Sequence, residues 1–590
     1  MFTRYLAFPI FCLLLFFASA GAQSGDISSP STPGSSDPGL VPLSNTNVGV
    51  GTASASVNTA DQEGKIKFRT QTILVQVPVI VTDKAGNHVH GLTKEDFHVF
   101  ENGKERKVAA FEEIVATNKQ LSVVAPKPGE FTNLTLSDQQ PRTVTVIALD
   151  TINTPFLDQY TGCRALIKYL ADNLDSGQVL ALMVMTSHGL KVVQGLTGDR
   201  EQLTKVLKKA SGETPATAGL GADVQANAAA GDVPEIPTNI DRPFVAASAF
   251  IAYGDTLTAS FQQPKALEET LNAFLEIAWS LSGIPGSKSL IWATGGFPFE
   301  ISSPAQLASK GSLASLYQRT MQALDAAQIS VYPVDVRGLV ATDAPAAVIA
   351  STGQELEHQI SSLASFQQST IDTLNAFADM TGGKAFYNTN DLASSFKRAT
   401  EDGSSYYLAS YYLDTHNNNS GWRQLKVKVD KNGMEVRARE GFFVTNATMN
   451  PDVTRSSDLT YALSSPIEGT GVPLSLKWLG TSGVGANKKA EFLIHMPADG
   501  LSIEKRNGQN HLNFDFAAVA YLTDGKTGKA TKTIGKAVNT GVPDAQVASL
   551  RFIDMKNALE LGPGNYVVRV VIRDNVTGKI GSVTAPLTVN

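Results

Sequence analysis

The feature that most constrains the fold is an apolar, β-branched run that stops at a carboxylate. It reads Arg142-Thr143-Val144-Thr145-Val146-Ile147-Ala148-Leu149-Asp150, followed by the small polar cluster Thr151-Ile152-Asn153-Thr154. Such a run predicts a buried strand, and a helical pattern begins just beyond it, near Asp158. The alternation continues to about Leu392. Strand-like runs cover Val144–Leu149, Val179–Thr186, Leu190–Val193, Ser289–Thr294 and Ile329–Val336, with a short one at Lys384–Tyr387. Between them, Leu166, Ile167, Leu170 and Leu174 share one helical face, and Leu267, Leu271, Phe274, Leu275 and Ala278 form another. Alternation of this kind predicts a mainly parallel sheet covered by helices, and ligands bind such sheets outside the carboxyl ends of the strands. Asp150 is placed at that edge.

On either side the period changes from helical to alternating. From Ile66 to about Val115, apolar runs are separated by Asp83-Lys84-Ala85-Gly86-Asn87 and by Asn102-Gly103. Asp bonds backbone amides and Gly accepts positive φ, so both read as hairpin turns. The device recurs at Asp430–Gly433, Asp524–Gly528 and Asp574–Gly578. A calcium loop is the functional alternative, but it needs several carboxylates and each of these has one. After Ser405 the β pattern resumes with Tyr406, Tyr407, Tyr411 and Tyr412, read as core packing in preference to a sugar-stacking platform. The early and late β segments, 66–125 and 403–448, are expected to pair with each other. Short runs with Gly/Asp turns from 455 to 590 predict a further β-sandwich.

Composition narrows the class. At 590 residues the chain is long enough for three to four domains, and a net charge of −6 excludes a nucleic-acid partner read through a basic face. Arg4, the apolar run Leu6–Phe17 and Ala18-Ser19-Ala20-Gly21-Ala22 predict a secretory signal peptide at 1–22; about a dozen apolar residues fall short of the roughly 20 that span a bilayer. The mature chain then keeps Cys163 as its only thiol, with no intrachain disulfide, and no later transmembrane segment is expected. Export to the periplasm or the extracellular space follows. Residues 23–65, rich in Ser, Pro, Gly and Thr, read as a disordered linker, and 211–264 as a long Ala/Gly/Pro/Thr-rich insertion.

Four stretches together resemble the von Willebrand factor A-like domain, in the variant called the VWFA-related Acidobacterial domain. They are Val77–Phe111; Leu149-Asp150-Thr151-Ile152-Asn153-Thr154-Pro155 with Asp158-Gln159; Val331–Gly338; and Phe377–Phe386. Tyr407-Leu408 and Arg439-Glu440-Gly441-Phe442-Phe443 are similar to the end of that family's unit. The resemblance implies a Rossmann-like α/β domain at 140–402, flanked by all-β sandwich domains. It also implies a divalent cation, Mg²⁺, at an Asp-x-Ser-x-Ser loop. Asp150, Asn153 and Thr154 are the candidate ligands, while Ile152 replaces the middle Ser and Gly295 stands where the family has Asp. The expected site is therefore degenerate, with one carboxylate among neutral oxygens. A helix-capping or loop-bonding role for Asp150 is the structural alternative.

No Gly-x-Ser-x-Gly, His-Glu-x-x-His, Cys-x-x-Cys or Gly-x-x-x-x-Gly-Lys-Ser/Thr occurs. His188 follows a strand at the ligand edge, but no nucleophile motif accompanies it. The expected function is a non-catalytic protein-binding or adhesion module whose partner edge is Asp150, Thr154, His188 and Gly295. A structural or assembly component of the cell envelope is the runner-up, and a hydrolase at the same edge comes third. The partner is an unidentified protein.

Overall fold

The computed structural model describes residues 41–42, 48–52, 74–115, 127–133, 143–154, 156–173, 179–199, 201–205, 265–296, 312–339, 354–413, 421–444, 451–483, 487–506, 508–523 and 530–590. The expected signal peptide, the insertion at 211–264 and most of the linker lie outside them. Within the linker, Val41–Pro42 and Val48–Thr52 are short strands at the edges of the C-terminal sheets. Edge pairing of this sort is made by backbone groups, so a composition poor in apolar side chains does not announce it.

The five strands of one sheet run in the order Gly189–Thr197, Val179–Thr186, Val144–Asp150, Lys288–Thr294, Ile329–Asp335. The first pair is antiparallel and the others are parallel. Strand period sorts the side chains onto two faces. Val146, Ala148, Leu290 and Trp292 pack against the 265–281 helix and the helices Ser312–Ala326 and Gln354–Thr381. Ile147, Leu149, Ile291 and Ala293 pack against Leu166, Tyr169 and Leu170 of the Phe156–Asn173 helix and Phe396 of Leu392–Asp402. The strand order turns at the Val144–Asp150 strand, whose neighbours are reached by connections running in opposite directions. A crevice is expected where such an order reverses.

The expected fold class needs correction. The chain is not an α/β protein built on a Rossmann-like von Willebrand factor A-type core: strand outweighs helix, 49% to 27%, and the sheets are mostly antiparallel. The reason lies in the lengths of the two patterns. Strand–helix alternation is confined to the middle of the chain, while mainly antiparallel strands account for both flanks. The expected short strand at Lys384–Tyr387 is also absent, reduced to a single bridge between Phe386 and Val334.

The flanking β segments interlock. Leu74–Asp83 pairs with Ser405–Tyr412 on one side and Met434–Arg437 on the other, and Phe97–Glu101 pairs with Gly421–Val429. Val75, Val77, Val79, Phe97, Tyr407 and Tyr411 fill the space between the two sheets, with Phe97, Phe111 and Tyr407 in mutual ring contact at 4.9–5.6 Å. Tyr406 is also buried and its hydroxyl accepts from Ser287 N, so three of the four tyrosines serve packing and only Tyr412 is exposed. The turns behave as hairpin chemistry requires. Asp83 Oδ1 accepts from Ala85 N and Asn87 N, and Asn102 and Gly103 both take positive φ.

A C-terminal sandwich of long strands, among them Gln509–Leu522, Ala530–Val542, Leu550–Leu561 and Gly564–Asp574, encloses its own core. The helix Pro451–Ser464 fastens it to the middle of the chain. Asp458 on that helix pairs with Arg319 of Ser312–Ala326 and with Arg573 of the sandwich, and Arg455 pairs with Asp515. Asn133, which no pattern in the sequence marked, is fully buried. It donates to Gly469 O and Val472 O and accepts from Leu474 N.

Two buried ionisable groups set a pH dependence. Glu276 lies at this joint and burial pushes it up from 4.5 to about 7, against a hydrogen bond from Ser465. Lys288 is buried at the start of its strand, donates to Ala327 O, and is pulled down by burial from 10.5 to about 7. The folded state therefore holds a proton on Glu276 that the unfolded chain releases between 4.5 and about 7, so this contribution to stability falls as pH rises through that window. Lys288 works the other way: the unfolded chain keeps a proton that the folded state has lost, and stability rises from about 7 to 10.5. Melting temperature against pH is expected to carry a shallow minimum near neutrality from this pair. Glu276→Gln is expected to flatten the acid arm and Lys288→Met the alkaline arm; unchanged arms would contradict the assignment.

Candidate functional site

The carboxyl edge of the five-stranded sheet gathers most of the residues that the sequence singled out. Asp150 ends its strand and is 2% exposed. Its carboxylate accepts five hydrogen bonds: Oδ1 from Ile152 N at 2.9 Å and Asn153 N at 3.0 Å, and Oδ2 from Asn153 Nδ2 at 2.8 Å, Trp292 Nε1 at 2.9 Å and Thr294 Oγ1 at 2.9 Å. Burial pushes the Asp150 carboxyl up, and these donors draw it back toward the ionised form. Two of the five are the backbone amides of the loop that leads into the Phe156–Asn173 helix. This is the loop-bonding arrangement that a short acidic side chain makes.

The partners are placed by strand register. Ala293 lies opposite Leu149 in the parallel ladder, so Trp292 and Thr294 reach the end of the neighbouring strand from alternate positions. The Trp292 ring is locked edge-on against Phe274 and Phe377, with centroids 5.2 and 5.5 Å away. Asn153 Nδ2 also donates to Thr270 Oγ1 of the 265–281 helix. Thr154, 7% exposed, accepts from Gly295 N at 2.7 Å. Asp150, Asn153, Thr154 and Gly295 are thus brought together. His188 is not among them: it sits exposed in the turn after Val179–Thr186, with Nδ1 3.2 Å from Ser187 Oγ, and makes no hydrogen bond to Asp150.

The residues do not fit a divalent cation. A hard cation needs oxygen lone pairs turned toward it and more than one charged ligand. Here both Asp150 oxygens face donors, Thr154 Oγ1 accepts a backbone N–H, and Asn153 turns its amino group toward the carboxylate, leaving only Asn153 Oδ1 without a partner. Among the described residues no group of three or more His, Cys, Asp or Glu is arranged to hold a metal.

One part of the edge escaped the functional reading of the sequence. Arg337 grips Asp335 through Nε at 2.9 Å and a terminal nitrogen at 2.7 Å, and its backbone N–H donates to the same carboxylate. Asp335 is 1% exposed. Burial pushes nearby Asp158 up, while Arg337 draws it down and Asp335 raises it. Gly296, at φ +139, lies under the guanidinium, where a Cβ would come 3.5 Å from Arg337. Gly162, in the second turn of the Phe156–Asn173 helix, lies against Val336, and a Cβ there would come 2.9 Å from its side chain. The signal was present in Asp335-Val336-Arg337, a spacing of two that lets an arginine fold back on an aspartate.

A cavity lies away from this edge. It spans about 450 Å³ including space open to solvent, lined by Met321, Asp325, Trp422, Arg439 and Phe442, where the amino end of the Ile329–Asp335 strand meets the flanking sandwich. No helix among the described residues is long and apolar enough to cross a membrane.

No family model matches the chain, and no curated protein matches it. Among solved structures it is similar to the crystal structure of the ArnB paralog VWA2 from Sulfolobus acidocaldarius, at 8% identity and a TM-score of 0.20, over 83% of this chain and 75% of that one. At that score the likeness carries no argument about fold or function.

Proposed function

We propose that the chain is an exported, non-catalytic protein-binding module of the adhesion type, which offers a protein partner the carboxyl edge of its five-stranded sheet. The family reading is the sequence resemblance to the VWFA-related Acidobacterial variant, with its cation loop degenerate. Export rests on the N-terminal sequence pattern.

The observation that carries the reading is a convergence. The stretches Leu149–Thr154 and Val331–Gly338, far apart in the chain, end at this same edge on either side of the Lys288–Thr294 strand, and large apolar side chains of the segments that follow them stand in solvent. Tyr160 is 54% exposed and Leu339 63%. Arg164 stacks over the Tyr160 ring at 5.7 Å, and the backbone under Leu339 is tied by its N–H to Asn390 Oδ1 at 2.9 Å. Singly such residues mean little, but exposed apolar groups at an edge that also carries guanidinium groups are the raw material of a binding hot spot.

A capture experiment from envelope extract tests this. The wild-type chain is expected to retain proteins that a Tyr160→Ala/Leu339→Ala double variant loses, with the melting temperature unchanged and His188→Ala still competent. An identical set captured by the double variant would favour the second reading, in which the two sandwiches make the chain a structural spacer of the envelope.

A further inference from the structure

We infer that this edge is built to work without a divalent cation, because protein donors hold the position that an ion would take against Asp150. Three side chains from two elements close on Oδ2: the Asn153 amide from the loop, and the Trp292 indole and Thr294 hydroxyl from the adjacent strand. Oδ1 is turned to the backbone of the same loop. A carboxylate has about four acceptor positions, and five donors leave none for a metal. An incoming ion would have to break into this buried donor set and turn several N–H and O–H groups away from the carboxylate at once.

The donor set is also hard to rearrange. Trp292 is 0% exposed and wedged between Phe274 and Phe377, so its indole N–H cannot swing away from Asp150 without repacking the face of the sheet. The charge the site needs is supplied in the same way. Aimed N–H and O–H dipoles stabilise one buried carboxylate, whereas a divalent cation would carry more positive charge than a single carboxylate neutralises. Asp150 is then a strut that ties the edge loop to two strands and, through Asn153 and Thr270, to the 265–281 helix. A partner reaching this edge is met by protein groups and not by a shared ion.

The test needs no partner, so it stands or falls separately from the binding reading. Calorimetric titration of the full chain with Mg²⁺, Mn²⁺ and Ca²⁺ is expected to give no binding heat. Its melting temperature is expected to be the same in each metal and in a chelator; an ion at a hundredfold excess over its dissociation constant would raise it by several degrees. Trp292→Phe, which keeps the ring and removes the donor, is expected to lower the melting temperature in chelator. A metal-dependent rise in the wild type that Asp150→Ala abolishes would overturn the inference. Should Asp150→Ala fail to fold, Trp292→Phe decides instead: an unchanged melting temperature in chelator would show that the indole is not holding the carboxylate.

Discussion

Asp458→Ala is expected to loosen the C-terminal sandwich from the rest of the chain, at a cost of about 3–5 kcal/mol. Asp458 is 4% exposed and is shared by two arginines on opposite sides of the joint, Arg319 from the middle of the chain and Arg573 from the sandwich. Taking away the carboxylate leaves both guanidinium groups in a largely buried place without their counter-charge, and that uncompensated charge dominates the cost. The Arg455–Asp515 pair would still tie the helix to the sandwich, and the Ser465–Glu276 hydrogen bond would still cross to the middle of the chain. Calorimetry should show the single transition splitting in two, with the sandwich melting near its own temperature. Limited proteolysis should cut between 444 and 475 in the variant and not in the wild type. Asp458→Asn, which still accepts hydrogen bonds, should fall between the two. A single unshifted transition in the alanine variant would mean that solvent already compensates the arginines.

Gly383→Ala is expected to be at least as damaging. A Cβ at Gly383 would stand 1.9 Å from the backbone oxygen of Val331, and buried strand backbone hydrogen-bonded into a sheet does not yield. The loss should exceed about 4 kcal/mol, with most of the variant recovered as insoluble protein. Its neighbour makes a useful contrast. Gly382 is needed for its φ of +80, as the residue that ends the Gln354–Thr381 helix, and a Cβ there would come 3.0 Å from Arg439 N. Gly382→Ala should cost about 1–2 kcal/mol and remain soluble. Two adjacent glycines therefore answer two demands, left-handed backbone at one position and close approach at the next. Equal denaturation midpoints for the two variants would refute that division.

What the sequence disclosed follows the range of the forces involved. Strand readings rest on local period, and they met the structure closely at Val179–Thr186 and at Lys288–Thr294. Turns rest on the chemistry of two or three residues, and Asp83, Asn102 and Gly103 behave as that chemistry predicts. The overall class did not follow, because it is a balance over the whole chain. Polar strands such as Ala530–Val542, with Lys532, Thr533 and Lys536, hide their β character on one face, and their number tips the total. The candidate site was half legible. Asp150, Thr154 and Gly295 do meet, since a strand end and its neighbour's end must lie together in a parallel sheet. That Asp150 would be consumed by donors was not legible, because Trp292 reads as an ordinary core residue until its indole is placed beside a carboxylate. His188 shows the opposite failure: it stands in the turn at the expected edge, but its ring meets Ser187 of that turn and not Asp150.

The interlocked flanking sheets impose an order of events on biogenesis. Val79 lies opposite Tyr407, so the Leu74–Asp83 strand emerges hundreds of residues before its neighbour exists and must wait for the whole middle of the chain to collapse and bring the ends together. During that wait its alternating valines and open backbone are a ready template for another chain. Defects in the middle of the protein are therefore expected to surface as aggregation seeded at its beginning. A holdase that shields this one strand until Tyr407 arrives would raise the yield of slow-folding variants without touching the residues that slowed them.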